Sequence, residues 1–73
     1  MKELSGAVAA RRFIASGEAR TLRKSLGLSL SEVAKDLGMG VSTLSAWERG
    51  VVRPAGRSAV RYHELLTGLE RET

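Results

Sequence analysis

Apolar residues recur at helical spacing along most of the chain, and the clearest stripe lies in GLSLSEVAKDLGMGVSTLSAWERG, residues 27–50. Leu30, Val33, Ala34 and Leu37 fall at i, i+3, i+4 and i+7, with Ser31, Glu32, Lys35 and Asp36 opposite them. This is the period of a helix with one buried side. Ser29, with Glu32 three residues on, forms a capping box that satisfies two amide donors at a helix start. Gly38-Met39-Gly40 breaks the period, because glycine tolerates the positive φ that closes a helix. A second helix is predicted from Val41 to about Arg49, stopped by Gly50. If Leu44 and Trp47 point inward, an advance of about 100° per residue turns Ser42, Ser45, Ala46 and Arg49 outward. The two-helix unit therefore spans 30–49.

The flanking segments read as further helices. Residues 1–15, MKELSGAVAARRFIA, place Leu4, Val8 and Ala15 on one stripe with Ala7 and Ile14 beside it. Phe13 projects to the far side, either as a second packing contact or as part of a dimer surface. Ser16 is expected to cap the next helix, with Glu18 complementing its dipole, Ala19, Leu22 and Leu26 on its buried side, and Gly27 at its end. Arg23 and Glu48 lie at the edges of their stripes, where they either form a partly buried ion pair or stand as separate surface charges. After VVRPAGR, in which Pro54 disfavours helix at Arg53, a last amphipathic helix is predicted over 57–69. Ala59, Tyr62, Leu65, Leu66 and Leu69 share one of its faces, and Val60, His63, Glu64 and Thr67 the other. Gly68 is expected near its end, and the following ERET is expected to fray. No period-2 pattern predicts a strand.

Composition narrows the chemistry. A length of 73 residues implies one domain, 1–73, whose core is too small to enclose a large active site. There are no cysteines, hence neither disulfides nor thiolate metal ligands. His63 is the lone histidine, so no paired-imidazole metal site is expected and the residue reads as a surface side chain. GMGVST has no strand before it and no lysine after it, unlike a phosphate-cradling loop. The chain is accordingly expected to be no enzyme and to use no cofactor or metal. It has no apolar run of membrane-spanning length and no secretory leader, which predicts a soluble, cytoplasmic protein without a membrane partner. Twelve Lys and Arg against eight Asp and Glu give a net charge of +4, which suits a polyanion that releases condensed counterions on binding. A protruding helix with small outward side chains fits a major groove about 12 Å wide.

With these residues assembled, LGLSLSEVAKDLGMGVSTLSAWERG resembles the signature of the phage-repressor-type helix-turn-helix family, the Cro and Xre type. The RPAG that follows, with its leucine-rich helix, resembles the repressors and antitoxins of that family. The likeness runs from about Arg20 to Leu66; residues 1–15 resemble an actinobacterial or actinophage subgroup less distinctively. It implies an all-α, lambda-repressor-like bundle of about five helices, with Leu30 to Leu37 crossing the DNA backbone and Val41 to Arg49 in the major groove. It further implies a structural salt bridge between Arg23 and Glu48, base-facing Val41, Ser42, Ser45 and Ala46, and phosphate contacts from Arg49, Arg53 and Arg57. Leu30 stands where the family often has a phosphate-binding glutamine, and Gly40 where it has a Ser or Thr cap.

The function expected is that of a sequence-specific double-stranded DNA-binding regulator, a repressor of the phage or bacterial kind acting as a homodimer in a bacterial cell or phage-infected host. The alternative is a protein-interaction module on the same fold, an antitoxin holding a toxin or a polymerase-binding adaptor. Val51, Val52, Val60 and Phe13, if exposed together, would favour that alternative or build the dimer.

Overall fold

Helix caps and glycines divide the chain into five helices, as the computed structural model shows for residues 2–72, with side-chain surroundings described from residue 6 on. They are α1 (Lys2–Ala15), α2 (Glu18–Ser25), α3 (Leu30–Leu37), α4 (Val41–Glu48) and α5 (Gly56–Glu72). Among the described residues there is no strand, and the architecture is an all-α bundle. α1 lies along α5 and also touches α2 and α4, while α3 packs on α4 and α5. Every helix contributes to one core: Ala10 and Ile14, Ala19, Val33, Ala34 and Leu37, Leu44 and Trp47, and Ala59, Tyr62 and Leu66. Fully burying an aliphatic side chain such as Ile14 or Leu44 stabilises by about 2 kcal/mol, so this shared core is what keeps such short helices folded.

The α3–turn–α4 unit is built locally. Ser29 Oγ accepts from the Glu32 N–H at 3.0 Å, and the Ser29 N–H donates back to Glu32 Oε1 at 2.9 Å, completing the capping box. These bonds favour the charged Glu32 carboxylate and hold it below the usual value. At the other end Gly38 adopts φ 67°, and the Met39 N–H reaches the Ala34 carbonyl at 2.9 Å. This left-handed closure reverses the chain between the helices. Gly40 is extended and caps α4 without a side-chain bond. From α5, Arg61 donates to the Asp36 and Leu37 carbonyls at 3.1 and 3.3 Å, placing a cation at the negative end of α3.

Several expectations are corrected. The buried side of α1 centres on Ala10 and Ile14, with Val8 and Ala7 half-buried and Ala15 exposed. The reason is that α1 meets three other helices, so its apolar arc is wider than one stripe. Leu4 lies outside the described side chains, and Met1 and Thr73 outside the described residues. Phe13 is half-buried against the core, its ring 4.7 Å from that of His63, so His63 is a packing residue on α5 rather than a free surface one. Residue 17, not Ser16, is the N-cap of α2, since Gly17 takes φ 93°. Ser16 Oγ nevertheless accepts from the Glu18 N–H at 3.3 Å. α4 ends at Glu48 with Arg49 as its C-cap. α5 runs from Gly56 to Glu72, which leaves Gly68 inside the helix and carries the helix through Glu70, Arg71 and Glu72. Packing on α1 outweighs the cost of one internal glycine. Val60 is also half-buried against the core.

Two glycine substitutions should act in opposite directions. Gly38→Ala, at positive φ, should destabilise the fold by about 1 kcal/mol. Gly68→Ala, whose added Cβ would meet nothing within 4 Å, should stabilise it by about 0.5–1 kcal/mol. Urea unfolding of the two variants checks both signs.

Candidate nucleic-acid interface

The roll of α4 about its axis is set by one buried carboxylate. Arg23 Nε donates to Glu48 Oε2 at 2.8 Å and Arg23 Nη2 to Glu48 Oε1 at 2.9 Å, a bidentate pair with the two residues only 6% and 8% exposed. Arg23 Nη1 donates to the Leu28 carbonyl at 2.7 Å, tying α2 to the segment leading into α3. Tyr62 of α5 donates its hydroxyl to Glu48 Oε2. Burial alone would push the Glu48 carboxyl up, but the hydrogen bonds from Arg23 and Tyr62 and the charges of Arg23 and Arg20 outweigh it, holding Glu48 below the usual carboxylate value. Burial and the carboxylate acceptor together raise the Tyr62 phenol well above its ordinary value. The hydrogen bond to Glu48 raises the Arg23 guanidinium against the opposing effect of burial, so the pair stays ionised. Both members of the pair are buried, deeper than their edge positions would indicate.

With Leu44, Trp47 and Glu48 turned in, the opposite side of α4 is left to solvent. Val41 and Ser42 are exposed, and Ser45 and Ala46 are half-buried. Arg49, Arg53 and Arg57 are all exposed. Arg49 Nε donates to Ser45 Oγ at 3.3 Å. The Val51 N–H bends back to the Ala46 carbonyl at 2.9 Å, leaving Val51 and Val52 exposed at 66% and 47% beside the end of α4. Pro54, two residues on, is buried and pins this connection to the body. Val60 and Phe13 are half-buried, so the four residues do not form one exposed apolar patch.

Residues 20–67 match the helix-turn-helix family of the Cro/C1 type. The chain belongs to that family. Membership makes it, in general terms, a DNA-binding regulator of a typically non-enzymatic kind. No curated protein and no solved structure matches it. In this helix-turn-helix protein α3 and α4 are the two motif helices and α5 braces them through Tyr62 and Arg61. Among the described residues no group of His, Cys, Asp and Glu is placed to hold a metal ion, and no helix is long and apolar enough to cross a membrane.

Sequence reasoning missed three contributors. Thr43 is exposed on α4 at the flank of the outward face, one helical step past Ser42, so the wheel itself could have included it. Tyr62 read as plain core because its face is apolar, although a buried phenol needs an acceptor. Arg61 carried no local signal, since its partners are backbone carbonyls 24 and 25 residues away.

Removing a member of the buried network should be costly. Arg23→Met strands Glu48 and should lower stability by about 3 kcal/mol or more, a fall in Tm of over about 10 °C, whereas Tyr62→Phe should cost about 1.5 kcal/mol. Calorimetry distinguishes the two. Because the folded value of Glu48 is depressed, its contribution is fully present above about pH 5 and is lost as the pH falls through that folded value. The Tyr62 contribution has the opposite sense, present below about pH 10 and lost in stronger alkali. Acid titration of Tm should therefore be flatter for Glu48→Gln than for the unaltered chain.

Proposed function

We propose that this protein is a sequence-specific transcriptional regulator, of the phage or bacterial repressor kind, that binds double-stranded DNA as a homodimer in the cytoplasm. The supporting observation is the orientation of α4: Leu44, Trp47 and Glu48 turn into the core, while Val41 and Ser42 are exposed and Ser45 and Ala46 half-buried on the remaining arc. With its side chains an α-helix is about 10–12 Å across, which matches the roughly 12 Å width of the major groove it is to occupy. Val41, Ser42, Ser45 and Ala46 meet base edges in this reading. The serines donate or accept hydrogen bonds, and Val41 or Ala46 touches a thymine methyl. Arg49, Arg53 and Arg57 meet phosphates, which set register without reading sequence. Two copies then address half-sites about 34 Å apart, or a multiple of that spacing.

A second reading is favoured by Val51 and Val52, two large apolar side chains exposed next to α4. In that reading the pair belongs to a larger contact with a second copy or with a partner such as a toxin or a polymerase subunit, since two exposed valines do not by themselves mark an interface.

A salt titration separates the two. DNA affinity should fall steeply with ionic strength, and Arg49→Ala should weaken binding to all duplexes and reduce the salt slope by about one. Ser42→Ala should instead change which sequences a random duplex pool yields. Salt-independent, weak binding to every duplex, together with a stable complex with another protein, would count for the interaction module.

A further inference from the structure

Ser45 differs from the other short side chains of α4 in having a partner. Its Oγ accepts from Arg49 Nε at 3.3 Å, one turn along the helix, while Ser42 makes no side-chain hydrogen bond with another described residue. Arg49 is the C-cap of α4, and its side chain bends back over the preceding turn, the direction that helical geometry favours. An exposed arginine ordinarily samples many rotamers, and ordering it on binding costs conformational entropy. A bond at Nε restrains the guanidinium before any ligand arrives. It also leaves the Nη1 and Nη2 fork without another described partner, and such a fork meets the paired oxygens of a phosphate. The same bond occupies one acceptor site on Ser45, and the residue is half-buried whereas Ser42 is exposed.

We infer that Ser45 is a positioning residue that acts through Arg49, holding the guanidinium for a backbone phosphate, and that base discrimination by α4 falls to Val41, Ser42 and Ala46. This rests on α4 being the groove-inserted helix and narrows the set of base readers given above. Ser45 then contributes affinity that is indifferent to sequence, and its effect exists only while Arg49 is present.

The test uses the full chain and two labelled duplexes, one selected by the unaltered protein from a random pool and one unrelated. Fluorescence anisotropy over a range of salt concentrations is measured for the unaltered chain, Ser45→Ala, Ser45→Thr, Arg49→Ala and Ser45→Ala with Arg49→Ala. Ser45→Ala is expected to weaken binding to both duplexes by the same factor, roughly threefold, as suits one solvent-accessible hydrogen bond. Ser45→Thr keeps the hydroxyl and is expected to restore affinity. In the Arg49→Ala background Ser45→Ala should have no further effect, the non-additivity of residues that act as a unit. Loss confined to the selected duplex, additive losses, or undiminished binding by Ser45→Ala would overturn the inference while leaving α4 in the groove. Absence of salt-dependent binding by the unaltered chain would remove the groove reading itself, and the inference with it.

Discussion

A carboxylate taken out of water is costly unless its lone pairs are filled, and in this bundle that requirement falls on Glu48. Its two oxygens receive a guanidinium edge from α2 and a phenol from α5, so three helices must hold one mutual arrangement for the charge to be satisfied. Apolar packing tolerates small rotations of a short helix, whereas a bidentate pair does not. The eight residues of α4 are too few to be stable alone, and the network fixes their roll as well as their position. Arg23 extends the constraint to the Leu28 carbonyl and thereby to the start of α3.

From that fixed roll the character of the exposed surface follows. Leu44, Trp47 and Glu48 occupy the inward arc, so Val41, Ser42, Ser45, Ala46 and Arg49 lie on the remaining arc whatever the partner. The turn between α3 and α4 is short because Gly38 reverses the chain in one residue, and Met39 is half-buried against the core instead of looping into solvent. α5 serves as the brace. Its tyrosine supports Glu48 at one point, and its Arg61 closes the end of α3 at another. The long contact of α5 with α1 anchors that brace to the rest of the bundle.

Much of this was legible in the sequence where the cause is local. The capping box at Ser29 and Glu32, the glycine closure at residue 38 and the stripe of Val33, Ala34 and Leu37 depend on residues within one or two turns of each other. The same is true of the inward placing of Leu44 and Trp47. Local pattern misjudged α1, because a helix gripped on several sides buries an arc that no single stripe describes. It ended α5 early, because the cost of Gly68 is visible in the sequence and the contacts that offset it are not.

The sequence by itself therefore determined the number of helices, the caps of α3, and the side of each motif helix that turns inward, since these are set by propensity and periodicity along the chain. Only the tertiary structure decided the depth of the Arg23–Glu48 pair, the part played by Tyr62 and Arg61, and the burial of Phe13 against His63. Those contacts join residues far apart in sequence, and hydrogen-bond geometry between distant side chains has no period along a chain from which to read it.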